Sequence, residues 1–402
     1  MKPFLPTMLL ITSALPAFAQ SDISAMIGTE GLRATEAGLM ALPDPSDSDR
    51  FALGGVRFLA AIETALQTRY RTGLSTALTT LADIPVLRLP IPENPTPEPF
   101  TGVIIEQMFA RISQDMDGAI AALAPITDTS EVGLSIATTD IWFDINASGS
   151  REAGEGLIEV TGLALNGGFE PETKPVIRFD TADAAWLSAY AHLLAGVSET
   201  VLAFGPAEAI DKVRDSIAGL DRLNPPVINP DPYAYDFDSQ FGNYVDVAAM
   251  FLGAFEGQPD VTRARAAHAH FLAVIADNQV FWSRVATETD NDAEWIPNKS
   301  QTSALPFDFP ADTGTAWRKV LADAAAVLNG DLLIPHWRMG DAAGINLARL
   351  LQDPPPVDLI GMIQGGDLLP YAEPGRLIGW ESMARFDALM QGDAGLFMVI
   401  LN

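Results

Sequence analysis

Apolar residues recur every three or four positions along most of the chain, and this spacing constrains the fold more than any other feature. Side chains at that spacing share one face of a helix, whereas a half-buried strand would alternate apolar and polar residues. The clearest stripes are formed by Phe51, Val56, Phe58, Leu59, Ile62 and Leu66, and by Ile104, Ile105, Met108, Phe109, Ile112 and Met116. Further helices are predicted at 181–204, 207–220, 243–255, 261–286, 314–328 and 380–390. The sequence therefore predicts a mainly α fold, an irregular multi-helix array or bundle.

The helix expected after Asp180 carries sequence signals at both of its ends. Asp180 can cap the amino end, and Gly205 followed by a proline ends the helix. Residues 184–205 are apolar and about 22 residues long, so this stretch is also the best candidate for a membrane span in the body of the chain. His192 and Glu199 lie inside it, however, and a charge near the centre of a bilayer is costly. We therefore expect a buried core helix.

Three stretches interrupt the helical pattern. Residues 85–99 contain six prolines, too many for a helix or a central strand, and predict an extended connector over the surface. Residues 223–238 contain four prolines and predict another irregular crossing. Residues 131–179 are enriched in Thr, Ile, Val and Gly and predict a small β excursion such as a hairpin. Because no fixed-period repeat is present, we expect residues 20–402 to form a single large helical domain.

The first nineteen residues have the layout of a secretory signal peptide. Lys2 provides a basic start, residues 4–15 are apolar, and residues 17–19 match the A-x-A cleavage pattern. The alternative is a first core helix of the mature domain, which would not need these segments in this order. We therefore expect export and cleavage before Gln20. The chain uses 19 Arg against 5 Lys and is rich in Ala, which favours the periplasm or the exterior of a Gram-negative bacterium.

Charge and cysteine content exclude several kinds of chemistry and partner. The chain has a net charge of −28 and no cysteine. It therefore has no disulfide, no zinc–cysteine or iron–sulfur site and no thiol nucleophile. Nucleic acid binding requires clustered Lys and Arg, and the same deficit argues against anionic lipid surfaces. We expect no nucleic acid partner and no membrane insertion after signal cleavage, which leaves an unknown small molecule or protein as the partner.

One segment has the spacing of a metal-binding loop. Oxygen ligands are available at loop positions 1, 3, 5, 7, 9 and 12 from Asp144, Asn146, Ser148, Ser150, Glu152 and Glu155, and position 6 is Gly149. Over these twelve residues the sequence resembles the EF-hand calcium loop. The resemblance implies a bound Ca²⁺, with Ser150 binding through its carbonyl, Glu152 acting through water and Glu155 binding with both oxygens. We expect weak binding, because Ser148 stands where a carboxylate would bind more strongly.

Two features depart from the EF-hand pattern. Arg151 occupies position 8, where the family has an aliphatic residue, and it adds a positive charge beside the ion. The flanking residues 135–139 and 157–161 have the composition of strands rather than helices, as in calcium loops of some bacterial extracellular modules. The alternative is a solvated polar turn, since Asp, Asn, Ser and Gly also favour turns. A second acidic turn at 290–294 offers another place for a cation.

The C-terminal third contains the residues for an enzymatic alternative. His336 lies in a dense run with Trp337, Arg338 and Asp341, and Asp367 follows in another turn-rich segment. In a shared pocket His336 could transfer a proton while Asp341 or Asp367 orients it, as in a hydrolase. Alternatively these turns close the helical array, with tryptophans in the core and aspartates as helix caps. The sequence contains no H-E-x-x-H, nucleophile elbow, Walker loop or G-x-G-x-x-G that would favour an enzyme.

The other histidines offer no site that the sequence alone reveals. His268 and His270 are two residues apart on a predicted helix and point to different faces, so they cannot chelate one ion together. His192 lies within an apolar helix and is expected to be a hydrogen-bonded core residue. The sequence favours an exported helical binding or scaffold module, stiffened by calcium, over a periplasmic hydrolase that uses His336.

Overall fold

The computed structural model describes residues 22–74, 89–162, 175–223, 237–305, 313–382 and 384–385. Within these residues the chain is mainly helical and carries only small antiparallel sheets, so the predicted fold class is confirmed. The predicted signal peptide, residues 1–19, lies outside the described residues.

Helices make up most of the described chain. They are α1 (Ile23–Met40), α2 (Asp47–Thr72), α3 (Gly102–Leu123), α4 (Leu157–Gly162), α5 (Thr181–Phe204), α6 (Ala207–Leu223), α7 (Phe237–Phe255), α8 (Val261–Val285), α9 (Thr313–Leu328), α10 (Leu347–Gln352) and α11 (Leu359–Gln364). One sheet pairs β1 (Gly133–Ala137) with β2 (Val176–Asp180). Another joins β3 (Ile334–Pro335), β4 (Gly344–Ile345) and β5 (Ala372–Glu373).

Helix α5 packs along both α8 and α3, so it lies between the helices that pack on α3 and those that pack on α8. Helix α2 packs against α3 and α1, and α9 and α10 pack against α8. Small side chains allow close packing here: Ala191 and Ala195 of α5 are fully buried in one cluster with Met116 and Ala119 of α3. Removal of these apolar faces from water is the main force that holds such helices together.

The predicted ends of α5 are confirmed. The Asp180 carboxylate accepts a hydrogen bond from Ala182 N at 2.7 Å, and the Asp183 carboxylate accepts one from Asp180 N at 2.9 Å, which forms a capping box. Gly205 ends the helix at φ +58°, a left-handed conformation that suits glycine. Among the described helices, α5 is the one whose length and composition would allow a membrane crossing, and half of its apolar stretch is buried.

The β excursion predicted at 131–179 is present as the antiparallel pair β1–β2. Residues 157–161, by contrast, were expected to form a strand, and they form helix α4 instead. The reason lies in the first turn of that helix. The Glu159 carboxylate accepts hydrogen bonds from Gly154 N at 3.2 Å and from Gly156 N at 3.0 Å, so it supplies the acceptors that the amides at a helix start require.

The proline-rich predictions are covered only in part by the described residues. Residues 89–99 form neither helix nor strand, as expected for a connector. Residues 85–88 and 224–236 lie outside the described residues. The helix predicted at 380–390 is helical at 380–382 and 384–385, and its other residues lie outside the described ones.

Candidate metal centre

The two ends of the loop at 144–155 lie next to each other. Phe143 N donates a hydrogen bond to the Glu155 carbonyl at 2.8 Å, which brings the two ends of the loop together. Ala147 and Gly149 inside the loop have left-handed backbones, with φ of +57° and +78°. The glycine at position 6 of the predicted metal loop therefore does adopt the turn conformation that favours glycine.

The candidate ligands in the first half of the loop bind the loop's own backbone. The Asp144 carboxylate accepts hydrogen bonds from Ser148 N at 2.8 Å and from Gly149 N at 2.9 Å. The Asn146 side-chain oxygen also accepts from Ser148 N, at 3.0 Å, and Ser148 Oγ donates to the Ser150 carbonyl at 3.0 Å. These bonds stabilise a turn of the Asx type, and they occupy oxygens that the predicted calcium ion would need.

Glu155, the predicted bidentate ligand, is buried and also binds backbone amides. It is only 2% exposed. Its Oε1 accepts a hydrogen bond from Ile145 N at 2.9 Å, and its Oε2 accepts one from Glu152 N at 2.7 Å. Glu152, another predicted ligand, is exposed at the rim of the loop. The two strongest predicted ligands, Asp144 and Glu155, are therefore both hydrogen-bonded to the loop itself.

A third carboxylate, which sequence reasoning missed, anchors the loop to the bundle. Glu63 of α2 is 3% exposed, and its Oε2 accepts a hydrogen bond from Asp144 N at 2.9 Å. Gln67, one turn further along α2, donates to the Asp144 carbonyl at 2.7 Å. Burial raises the pKa of Glu63 to about 7, and the charges of Asp144 and Glu155 act in the same direction. The only sequence signal was a glutamate beside the apolar stripe of α2.

Three carboxylates from two distant parts of the chain converge where β2 meets α5. They belong to Asp180, the N-cap of α5, to Glu288, just after α8, and to Glu294. One oxygen from each carboxylate lies within 4.8 Å of the other two. Calcium binds oxygens at 2.3–2.6 Å, so a single ion can contact ligands up to roughly 5 Å apart. We call Asp180, Glu288 and Glu294 the acidic cluster.

The acidic turn at 290–294 carries Glu294 into this cluster. Ala293 has a left-handed backbone with φ +61°, which is unfavourable for a residue with a Cβ atom. Its carbonyl accepts a hydrogen bond from Arg178 N of β2 at 3.1 Å, which fastens the turn to the hairpin. The Glu294 carboxylate accepts from Asp292 N at 2.8 Å, and Glu294 is 6% exposed. The second place that the sequence offered for a cation is thus part of the converging group.

The carboxylates of the acidic cluster repel one another in a partly desolvated place. Burial, together with the charges of Asp180 and Glu294, raises the pKa of Glu288 to about 7. Burial also raises the pKa of Asp180 and of Glu294 above their usual range. The neighbouring Asp183 is 6% exposed, and burial raises its pKa well above its usual range. Each shift means that the negatively charged form is disfavoured in the folded protein.

The arginines near the cluster compensate for little of this charge. Arg178 lies at 3.8 Å from Asp290 and at 3.5 Å from Asp292, which are long distances for ion pairs between exposed groups. Arg284 pairs with Asp128 at 2.7 Å, so its charge is already matched. The surroundings of the acidic cluster therefore retain an excess of negative charge that a divalent cation would offset.

In the enzymatic alternative, His336 contacts its sequence neighbours but is not bonded to the aspartates that were expected to orient it. His336 Nδ1 accepts a hydrogen bond from Arg338 N at 3.3 Å, and the Arg338 guanidinium stacks over the Trp337 ring at 4.2 Å. Asp341 is exposed and Asp367 is partly buried. Over the described part of the chain, no hydrogen bond or ion pair joins His336 to Asp341 or to Asp367. The turn that carries His336 does contact the segment before Asp367, since Trp337 Nε1 donates to the Ile363 carbonyl at 3.1 Å. The hydrolase therefore stays a prediction.

Two histidines far apart in sequence meet across α5 and α8. His192 Nδ1 lies 2.8 Å from His270 Nδ1, although 78 positions separate the two residues. His268 points elsewhere, since its Nε2 donates to the Leu328 carbonyl at 2.7 Å and its Nδ1 accepts from Gln352 at 2.9 Å. Burial lowers the pKa of His192, which favours the neutral imidazole. The two-residue spacing correctly predicted that His268 and His270 point to different faces of α8. It could not predict that His270 would meet His192 on another helix.

No family model matches the chain. No curated protein and no solved structure matches it either. The function is therefore inferred from this chain's own side chains.

Proposed function

We propose that the protein is an exported helical binding module whose fold is stabilised by a weakly bound calcium ion. The observation that carries the calcium proposal is the acidic cluster, in which three carboxylates approach within 4.8 Å of one another. Export to the periplasm or beyond, proposed from residues 1–19, suits a site in the affinity range of extracellular calcium modules, roughly 10⁻⁴–10⁻³ M. A bound ion would tie the β2–α5 junction to the end of α8.

Calcium fits the donors of this site better than other cations do. Carboxylate oxygens are the ligands that hard cations prefer. Ca²⁺ accepts irregular shells of six to eight oxygens that include water, whereas Mg²⁺ requires near-octahedral geometry at 2.0–2.1 Å. Asp180 and Glu288 are only partly buried, so water can complete the shell around an ion held by the cluster. We place the ion here rather than at 144–155, because both oxygens of Asp144 and both oxygens of Glu155 accept backbone amides. In the acidic cluster Asp180 and Glu294 also accept backbone amides, but Glu288 accepts only the Gln301 side chain among the described residues.

The binding role is supported by an exposed apolar face on α7. Phe241, Tyr244, Val245, Leu252 and Phe255 are between 41% and 58% exposed and recur at helical spacing. Contiguous exposed apolar surface marks interaction sites. A convex helix face suits packing against another protein better than it suits enclosing a small molecule. The net charge of −28 favours a partner with basic residues around its own apolar contact.

The calcium proposal is tested by thermal unfolding at pH 8 with chelator or with about 10 mM calcium. At the proposed affinity, this concentration stabilises the folded state by about 1.4–2.7 kcal/mol. We expect the wild type and Glu155→Gln to show the calcium-induced rise in Tm and Glu288→Gln to lose most of it. Glu30→Gln removes an exposed charge from α1 and serves as the matched control. A rise lost in Glu155→Gln but kept in Glu288→Gln would place the ion in the loop, and no rise in the wild type would refute the proposal.

The binding face is tested by comparing exposed and buried positions of the same helix. Tyr244→Ser and Leu252→Ser should change the Tm by only about 2 °C, because both residues are already in contact with water. Val247→Ser should lower the Tm clearly, because Val247 is 6% exposed. A similar loss in all three variants would show that this face belongs to the core and is no binding surface.

A further inference from the structure

The two histidines that meet between α5 and α8 are arranged unlike ordinary core histidines. Their Nδ1 atoms face each other at 2.8 Å, and the ring centres are 5.1 Å apart with the planes tilted by 47°. Two neutral imidazoles can share one proton across such a contact, with one nitrogen donating and the other accepting. The lone pairs of both nitrogens would point into the same space if that proton were removed.

The helix packing fixes this geometry. Gly196 lies one turn after His192 on α5, and a Cβ atom placed there would come within 2.8 Å of the ring of Phe271 on α8. The two helices therefore approach closely next to the pair, and the backbones that carry His192 and His270 have little freedom to separate. Ligands held on rigid packed helices keep their geometry better than ligands on loops.

Acidic side chains lie beside the pair, and water can reach it. Asp277 of α8 places its Oδ2 4.0 Å from His192 Nε2. Asp117 of α3 is exposed, and its charge also acts on His192. The side chains of His192 and Asp277 are 18% and 29% exposed, so a hydrated ion can approach. Neutral imidazoles next to carboxylates match the ligand chemistry of Zn²⁺ and similar borderline ions.

We propose that His192 and His270 bind a transition-metal ion of the Zn²⁺ class through their Nδ1 atoms. Zinc–nitrogen bonds are 2.0–2.1 Å long, so two nitrogens in a tetrahedral shell lie roughly 3.3 Å apart. The observed 2.8 Å therefore needs to widen by only about half an ångström, within reach of small ring rotations. The ion takes the place of the proton between the rings, and the imidazole that carried this proton on Nδ1 carries it on Nε2 instead. Water completes the shell of the ion, and Asp277, 4.0 Å from Nε2 of His192, favours a proton on that nitrogen. This site is separate from the acidic cluster, whose all-oxygen donors favour calcium.

The test is calorimetric titration of the chelator-treated full chain with Zn²⁺ at pH 7.5. We expect one zinc ion per chain at this site and a loss of affinity of at least about tenfold in His192→Gln and in His270→Gln. His336→Gln is the matched control, since His336 lies outside the α5–α8 contact and should leave zinc affinity unchanged. Titration with Co²⁺ adds a spectroscopic readout, because visible absorption bands report nitrogen ligation and would be lost in the same two variants.

Several outcomes overturn the proposal. Equal zinc affinity in the wild type and both histidine variants would mean that the pair is only a hydrogen bond. Loss of zinc binding in Glu288→Gln alone would assign the ion to the acidic cluster, and no zinc binding by the wild type would exclude the site outright. Melting curves without metal show whether each variant folds. Asp277→Asn is a milder second probe, expected to weaken zinc binding by about two- to tenfold, and an unchanged affinity there together with unfolded histidine variants would count against the site.

Discussion

The loop at 144–155 and the acidic cluster contain the same kinds of side chain, but their oxygens face different groups. In the loop, the carboxylates of Asp144 and Glu155 accept hydrogen bonds from backbone amides within the same twelve residues. In the acidic cluster, Asp180 meets Glu288 and Glu294, which lie about a hundred positions later in the chain, and one oxygen of each carboxylate is within 4.8 Å of the other two. Carboxylates repel one another in both regions, since the charges of Asp144 and Glu155 also act on Glu63. Among the described residues, only the acidic cluster brings three carboxylate oxygens within 4.8 Å of one another, where an added cation can relieve the repulsion.

This difference shows what a ligand pattern in sequence can and cannot reveal. Alternating oxygen side chains around a glycine are what a calcium loop needs, and they are equally what a self-bonded turn needs. Backbone amides compete for the same lone pairs, and they are always present at high local concentration. In the acidic cluster Asp180 and Glu294 also accept backbone amides. The three carboxylates nevertheless lie within 4.8 Å of one another, and this mutual proximity indicates a cation more strongly than spacing in the sequence does.

The largest effect that the comparison predicts is at Glu155. Glu155→Ala removes the acceptor of Ile145 N and Glu152 N, and a buried amide without a partner costs about 1–3 kcal/mol. We expect the free energy of unfolding to fall by about 2–4 kcal/mol, measured by urea denaturation, with the same loss in calcium and in chelator. Glu152→Ala, at an exposed position of the same loop, should change it by less than about 0.5 kcal/mol. If Glu155→Ala lowers the free energy of unfolding only in the presence of calcium, the loop and not the acidic cluster is the metal site.

A slightly smaller effect is expected at Glu63, beneath the loop. Its pKa is about 7 in the folded protein against an ordinary value of 4.5, so the folded state binds this proton more tightly than the unfolded state does. Stability from this group is therefore complete below about pH 4.5 and is lost as the pH rises to 7, by about 3 kcal/mol at most. Glu63→Gln keeps an acceptor for Asp144 N and removes the titration. Unfolding free energies measured between pH 5 and pH 8 should fall less steeply in this variant than in the wild type.

Glu30→Gln is the control for that pH profile, because Glu30 is exposed on α1. Its profile should follow the wild type. If the Glu63→Gln profile also follows the wild type, Glu63 is not a titrating group over this range, and the loop does not impose a charge penalty on the bundle. The charges of the loop would then have no effect on α2 through Glu63.

Sequence reasoning succeeded where the physical signal was local. The limits of α5 could be predicted because Asp180 and Gly205 act on amides and carbonyls within one turn of themselves. It failed for residues 157–161, because strand-like composition did not reveal that Glu159 caps the preceding glycine amides. The turn conformation around Gly149 was also foreseeable, since it depends on that residue's missing Cβ atom.

The candidate sites themselves could not be predicted as sites, since they depend on helix packing. Glu294 stood out in an acidic turn, but nothing in the sequence placed it beside Asp180. The contact between His192 and His270 likewise requires the register of α5 against α8, which apolar spacing leaves open. Apolar stripes predict which face of a helix is buried, and they do not specify which residue of another helix it meets.

The smallest predicted effect is also the most direct comparison of the two regions, because each has one arginine beside its carboxylates. Arg178 lies near Asp290 and Asp292 at the edge of the acidic cluster, and Arg151 belongs to the loop, where it donates to the Thr139 carbonyl at 2.8 Å. A positive charge repels a divalent ion, so its removal should tighten binding only at the site that holds calcium. We expect Arg178→Gln to increase calcium affinity about two- to fivefold, or ~0.4–1 kcal/mol, and Arg151→Gln to leave it unchanged, as measured by calorimetry at low salt. The opposite order would place the ion in the loop, and screening by added salt should reduce whichever difference is found, because both arginines are near the surface.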